Sequence, residues 1–153
     1  MKVFSEALQK VGVFVLQEWG MMMVDPVENP PPPFHPQETF YVVTAKYTGV
    51  FDGALTCICQ DEFLERLAQN VLGYLQLDAI TEEDKLDSLR EFANIVSGNF
   101  LVEAFGPETV FELPRIEASY GDYESVKRFF TNQAIYCLGD GAPVALHFEI
   151  HAE

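Results

Sequence analysis

The stretch E-E-D-K-L-D-S-L-R-E-F-A-N-I-V-S-G-N-F-L, residues 82–101, decides the fold of this chain. At about 100° per residue, its apolar positions fall on one side, as in an amphipathic helix that covers a core: Leu86, Leu89, Ala93, Val96 and Phe100. Thr81 and Asp84 match a capping box at the start of this helix. We expect the helix to run from there to about Phe105, before Gly106-Pro107.

The opposite side of this helix carries four residues at spacings i, i+4, i+7 and i+11, namely Asp87, Glu91, Asn94 and Gly98. Asn94 is a mediocre helix former, and Gly98 costs roughly 0.5–1 kcal/mol relative to alanine in a helix interior. Taken alone, an exposed Glu-x-x-Asn is more often a solvated helix face. Two unfavourable residues side by side favour a docking or catalytic surface instead.

Two neighbours of this stripe have alternative interpretations. Ile95 lies close to the polar face, where it either contacts a partner or is half-buried under the neighbouring helix. Asn99 lies nearer to Phe92 than to Glu91, which favours a structural hydrogen bond over a functional role.

The composition excludes several classes of partner. Among 153 residues, 9 Lys and Arg stand against 24 Asp and Glu, a formal net charge of −15. This charge argues against nucleic acids and against anionic membrane surfaces, both of which require a basic protein face. The three cysteines fit no secreted disulfide framework, and Cys57 and Cys59 are expected to be buried thiols. Because no signal peptide or spanning segment is evident, we expect a cytoplasmic protein that does not bind a membrane.

The rest of the pattern predicts an α+β fold. Segments 39–48 and 54–60 are rich in β-branched and aromatic residues and predict an antiparallel hairpin, and Gly139-Asp140-Gly141 predicts a second one. Helices are expected before Gly20 and after Asp61, whereas residues 123–132 form either a short helix or a loop. We therefore expect a mostly antiparallel sheet with long helices packed on one face, in a single domain spanning residues 1–153.

A proline-rich segment interrupts this pattern at residues 29–36, which include five prolines. Such a run excludes a helix or a central strand. An ordered crossover loop is favoured over a polyproline ligand for an SH3-type domain.

The segment D-x-x-x-E-x-x-N-x-x-x-G at Asp87–Gly98 resembles the signature of the CheC/CheX/FliY phosphatases of bacterial chemotaxis. T-G-V-F-D-G-A-L at Thr48–Leu55 and F-E-L-P-R-I at Phe111–Ile116 resemble the strands on either side of the helices in CheX proteins. Pro114 follows the Asn more closely than in the usual family pattern. CheC proteins carry two copies of the signature helix and this chain carries one, so the resemblance is to CheX.

This resemblance implies a phosphatase that hydrolyses the phospho-aspartate of a CheY-like response-regulator receiver domain. Asn94 would position the attacking water, because a carboxamide both donates and accepts hydrogen bonds. Glu91 would reach the receiver's active-site lysine, and the docking surface would include Asp87, Ile95 and Gly98. The receiver supplies Mg²⁺, so no cofactor or metal of its own is expected. The alternative is a non-catalytic adaptor that binds a receiver or a flagellar-switch component.

A second polar group, His147, Glu149 and His151, alternates with apolar residues in the last predicted strand. All three side chains are therefore expected to point away from the core. His-x-Glu-x-His can contribute metal ligands. No further ligand or general base is evident, so a solvated strand face is the favoured interpretation.

The resemblance to CheX also implies a homodimer with two-fold symmetry. We predict that light scattering at micromolar concentration gives twice the chain mass of 17.3 kDa. The mass of a single chain under these conditions would contradict this prediction.

Overall fold

The computed structural model describes residues 2–27, 34–73, 79–131 and 133–151. Within these ranges the helices are α1 (Lys2–Glu18), α2 (Asp61–Leu72), α3 (Glu82–Phe105) and α4 (Tyr123–Val126), the last followed by a 3-10 turn at Lys127–Phe129. The strands are β1 (Val24–Val27), β2 (Phe40–Thr48), β3 (Asp52–Cys59), β4 (Glu112–Gly121), β5 (Ile135–Gly139) and β6 (Ala142–His151). None of the helices in these ranges combines the length and the apolar character that crossing a membrane requires.

In the described ranges, six strands form one antiparallel sheet in the order β1-β5-β6-β3-β2-β4. Both predicted hairpins, β2–β3 and β5–β6, are confirmed. Asp140 and Gly141 have φ angles of 50° and 83° at the second turn, and a tight hairpin turn of the I′ type requires positive φ at both central residues. Of the two alternatives for residues 123–132, a short helix or a loop, the structure has the short helix, α4.

The long helices α1, α2 and α3 pack on one face of this sheet, which confirms the predicted α+β architecture. The predicted apolar stripe of α3 is the buried one: Leu89, Ala93, Val96 and Phe100 are inaccessible to solvent. The ring of Phe100 meets Phe148 of β6 edge-to-face, with centroids 4.5 Å apart, a favourable geometry for aromatic pairs. This core therefore fixes which side of α3 faces outward.

The three cysteines belong to the same core and are free thiols. Burial raises the pKa of Cys137 to about 12 and raises those of Cys57 and Cys59 as well. These side chains are protonated at neutral pH and act as small apolar residues.

A smaller apolar cluster covers one end of the opposite face of the sheet. There α4 and the 3-10 turn, together with Phe34, pack over Phe40, Val42 and Ile58. Phe34 meets Phe40 with ring centroids 5.4 Å apart. Residues 28–33 of the proline-rich segment lie outside the described residues, so its crossover-loop and ligand interpretations stay predictions.

The prediction of a solvated strand face is wrong for His147. This residue is only 7% exposed, and its ring lies 5.5 Å from that of Phe129 in the 3-10 turn. Burial lowers the pKa of the imidazole, and its Nδ1 has no hydrogen-bond partner. Glu149 is half-buried and His151 is exposed. Across the described residues, no group of three or more His, Cys, Asp or Glu side chains is arranged to hold a metal ion.

The capping box predicted for α3 is present. The Thr81 hydroxyl accepts a hydrogen bond from the Asp84 backbone N–H at 3.1 Å, and the Asp84 carboxylate accepts one from the Thr81 N–H at 3.0 Å. At the other end of the helix, Gly106 has a φ of 89°, which favours glycine because side chains clash in this conformation. Both ends of α3 are therefore set by local sequence.

Thr81→Ala removes the side-chain acceptor of this cap and should destabilise the protein by about 1 kcal/mol. For a chain of this size, that loss lowers Tm by roughly 2–4 °C. Thr81→Ser keeps the hydroxyl and is the matched control, expected to melt close to the wild type. Indistinguishable melting of Thr81→Ala and wild type would show that the cap does not stabilise α3.

Candidate functional site

The candidate site is the outer face of α3. Asp87, Glu91 and Asn94 are exposed there and Gly98 is half-exposed, whereas Phe92 and Ala93 beside them are inaccessible to solvent. The structure thus places the four predicted residues along one outward face. Within the described residues, the side chains of Glu91 and Asn94 make no hydrogen bond or ion pair, so their polar atoms are available to a partner.

Gly98 leaves the surface next to Asn94 open. A Cβ added at Gly98 would meet no heavy atom within 4 Å. Packing inside the chain therefore does not require glycine at this position. Glycine destabilises the helix by roughly 0.5–1 kcal/mol relative to alanine. It also leaves no side chain on the outer surface next to Asn94.

Asp87 forms an ion pair that was not predicted from the sequence. The Arg90 guanidinium lies 2.9 Å from the Asp87 carboxylate, and the side chains are 41% and 62% exposed respectively. The i, i+3 spacing of the two residues was the available signal. Exposed pairs of this kind contribute little to stability, but this one partly neutralises the carboxylate at the edge of the site.

Ile95 and Asn99 lie beside the outer face of α3. Ile95 is half-buried and packs against the main core, which is one of its two predicted environments; a contact with a partner stays a prediction. The Asn99 side chain donates to the Ile95 carbonyl at 2.8 Å, so the structural interpretation of Asn99 is confirmed.

Polar contacts at its first turn fix α3 against the sheet and α2. Glu82 accepts hydrogen bonds from the Tyr41 and Tyr120 hydroxyls at 2.8 and 3.2 Å. The Lys85 ammonium, on a side chain only 13% exposed, lies 2.8 Å from the Asp61 carboxylate of α2. Burial alone would lower the pKa of Lys85, but the hydrogen bond to Asp61 raises it overall. The lysine is therefore charged, and the helix start has one defined position.

The side of α3 that faces α1 is fixed by two further contacts. The Trp19 ring stacks on Phe92 with centroids 6.4 Å apart, and the Lys10 ammonium lies 2.6 Å from the Glu103 carboxylate. Trp19 follows the last residue of α1 and Lys10 lies near its middle, whereas Phe92 precedes Glu103 along α3, so the two helices run antiparallel. The outer face of α3 is thus presented by a packed scaffold.

A groove lies beside Glu91, where α3 meets the ends of α1 and α2. Its volume is about 320 Å³, and it is lined by Trp19, Val71, Leu72, Asp84, Asp87, Ser88 and Glu91. Sequence patterns did not indicate this groove, because it exists only through the relative placement of three helices.

A family model described as the chemotaxis phosphatase CheX matches residues 41–123, which include α2, α3 and the strands on either side of them. The chain belongs to the CheX family. The match contains all five site residues predicted on α3. No curated protein sequence matches the chain significantly.

Solved structures share this fold. CheX from Desulfovibrio desulfuricans has a TM-score of 0.70 at 15% identity, over 99% of this chain and 100% of that one. A chain of the CheX–CheY–BeF3–Mg²⁺ complex from Borrelia burgdorferi has a TM-score of 0.64 at 16% identity, over 96% and 97%. FliY from Thermotoga maritima has a TM-score of 0.54 at 11% identity, over 94% of this chain and 82% of that one. At these identities, the likeness shows that the CheX fold is present over nearly the whole chain.

Gly98→Ala should stabilise the protein by roughly 0.5–1 kcal/mol, because alanine is a better helix former and its Cβ enters open space. Denaturant unfolding monitored by circular dichroism measures the change. Gly20→Ala is the contrasting variant, since its Cβ would lie 2.8 Å from the Leu16 backbone oxygen, and we expect it to destabilise. A loss of stability in Gly98→Ala would mean that packing within the chain requires this glycine.

Proposed function

We propose that this chain hydrolyses the phospho-aspartate of a CheY-like receiver domain, with Asn94 positioning the attacking water and Glu91 binding the receiver. The observation that carries the proposal is the pair of unpartnered, outward-facing side chains on the fixed helix α3 of a CheX family member. The Borrelia complex, in which CheX and CheY occur together with BeF3 and Mg²⁺, supports a receiver as the partner.

The proposed reaction needs little chemistry from this chain. A water oxygen attacks the phosphorus, the bond between phosphorus and the aspartate oxygen breaks, and inorganic phosphate and the free carboxylate result. Mg²⁺ held by the receiver neutralises the developing charge, so the helper protein contributes alignment. The Asn94 carboxamide can accept a hydrogen bond from the water and donate one to a phosphoryl oxygen, which fixes the water in line.

Glu91 has a different task in this proposal. Residues at i and i+3 on a helix lie about 5–6 Å apart at their Cβ atoms, so Glu91 reaches the receiver next to the point where Asn94 acts. A carboxylate there forms a charge-assisted contact with the active-site lysine of the receiver. The open surface at Gly98 lets the receiver approach closely on the other side of Asn94. In the predicted homodimer, both Asn94 side chains must remain outside the interface.

Asn94→Ala should reduce the stimulated dephosphorylation rate on the order of 10²–10³-fold, the usual cost of removing one preorganised polar group at a reacting centre. The measurement is the decay of a phosphorylated receiver with and without the protein. The melting temperature of the variant should not fall below that of the wild type, because the Asn94 side chain is exposed and alanine is a good helix former. Asn99→Ala is the matched control: the same residue type on the same helix, with its amide bound to the Ile95 carbonyl, should retain activity.

Glu91→Ala separates binding from alignment. We expect a raised KM for the receiver as its main effect, with a smaller fall in kcat. Full activity of Asn94→Ala on a receiver that wild type dephosphorylates would refute the proposed role of α3. Binding without acceleration of decay, for wild type and variants alike, would favour the adaptor function.

A further inference from the structure

The groove beside Glu91 has two chemically distinct walls. Trp19 of α1 and Val71 and Leu72 of α2 contribute apolar surface, and α3 contributes three carboxylates and the Ser88 hydroxyl. Leu72 is 45% exposed although it lies at the end of a helix whose other large apolar residues are mostly buried. An exposed apolar wall facing carboxylates suits a ligand that is apolar along its length and cationic at its end.

We propose that this groove binds one lysine or arginine side chain from the receiver surface beside the phosphorylation site. Both side chains place a flexible apolar stem against apolar surface while the charged head reaches polar groups. The indole ring of Trp19 also favours a cation over its face. The inference rests on the proposed function, because it takes the receiver docked at Asn94 as the source of the side chain.

The charges around the groove favour a cation over an apolar or acidic ligand. Asp84, Asp87 and Glu91 line it, and Arg90 offsets only one of these charges through its pair with Asp87. In the proposed complex the receiver's active-site lysine takes the Glu91 carboxylate, so the charge left for the groove is that of Asp84, which accepts a backbone hydrogen bond in the capping box. The groove also adjoins the carboxyl end of α2 at Leu72, where the helix dipole adds partial negative charge.

Ser88 adds a hydroxyl to the α3 wall of the groove. It is only 5% exposed, yet it lines the groove. Among the described residues, the Ser88 hydroxyl neither donates nor accepts a hydrogen bond. Its oxygen is not among the buried polar atoms that lack a partner in the described part of the chain, so it is reachable from the groove, where it can accept a hydrogen bond from an ammonium or guanidinium.

The position of the groove fits a receiver docked on α3. Glu91 lines the groove and belongs to the proposed catalytic face, so the two surfaces are continuous. A receiver whose active site meets Asn94 therefore has its neighbouring surface over Trp19 and Leu72. We expect the groove to contribute to affinity and to the choice among receivers, without touching the reacting atoms.

Leu72→Lys tests the proposal, because it places a cation of this chain at the mouth of the groove. The binding partner is a receiver held in its activated form by beryllofluoride and Mg²⁺. We expect Kd to rise about tenfold, because the new lysine repels the receiver's cationic side chain and occupies its place in the groove. Leu72→Gln, which alters shape and polarity without charge, should change Kd by less than about threefold. Val50→Lys, in the β2–β3 turn at a position 74% exposed against 45% for Leu72, is the control and should bind like wild type.

Trp19 gives a direct reading of groove occupancy, since it is the single tryptophan of the chain. With a receiver that lacks tryptophan, binding should shift the emission of Trp19 in the wild type and shift it less in Leu72→Lys. Replacing the docked receiver lysine or arginine by glutamate should restore binding to Leu72→Lys while weakening it to wild type. Such a reversal measures the coupling of the two residues.

Equal Kd values for Leu72→Lys and Val50→Lys would overturn the groove proposal. Equal weakening by Leu72→Lys and Leu72→Gln would overturn it too, because the occupant would then be apolar. These outcomes are separate from failure of the proposed function, which is seen as a wild-type protein that accelerates no receiver's decay. Wild-type phosphatase activity with an unaltered KM in Leu72→Lys would leave the function standing and exclude the groove.

Discussion

The burial of one side of α3 against the sheet is the constraint on which the rest of the structure depends. Phe92, Val96 and Phe100 are inaccessible to solvent, and Phe100 packs edge-to-face on Phe148 of β6. Rotating the helix would expose these side chains, each worth about 1.5–3 kcal/mol of burial. The outward direction of Glu91 and Asn94 is therefore a consequence of core packing and needs no support from the partner.

Preorganisation of this kind is what the proposed reaction requires. A protein that contributes only the alignment of a water must hold its catalytic carboxamide at a defined place. The entropy lost in fixing that group should be lost on folding, before the receiver binds. The capping box at Thr81, the tyrosine hydrogen bonds to Glu82 and the Lys85–Asp61 pair fix the start of the same helix. Catalytic alignment and fold stability thus rest on one element, whereas the chemistry at phosphorus belongs to the receiver.

Features set by neighbouring residues were predictable from the sequence. The capping box, both hairpins, the amphipathic stripe of α3 and the outward face that carries Glu91 and Asn94 follow from periods and turn chemistry within short segments. Asn99 was also assigned correctly, because its place on the helix relative to Phe92 and Glu91 follows from spacing alone.

Features that depend on distant segments were not predictable. His147 was expected in solvent because strand alternation gives the face but not what covers it, and the 3-10 turn at Lys127–Phe129 covers it. The groove beside Glu91 likewise requires the ends of α1 and α2 to meet α3.

A structure of the chain bound to a receiver with beryllofluoride and Mg²⁺ tests the central claim most directly. We expect the Asn94 carboxamide within roughly 2.7–3.2 Å of a fluoride or of an in-line water. A complex in which the receiver's active site meets another surface and Asn94 stays in solvent would contradict the account.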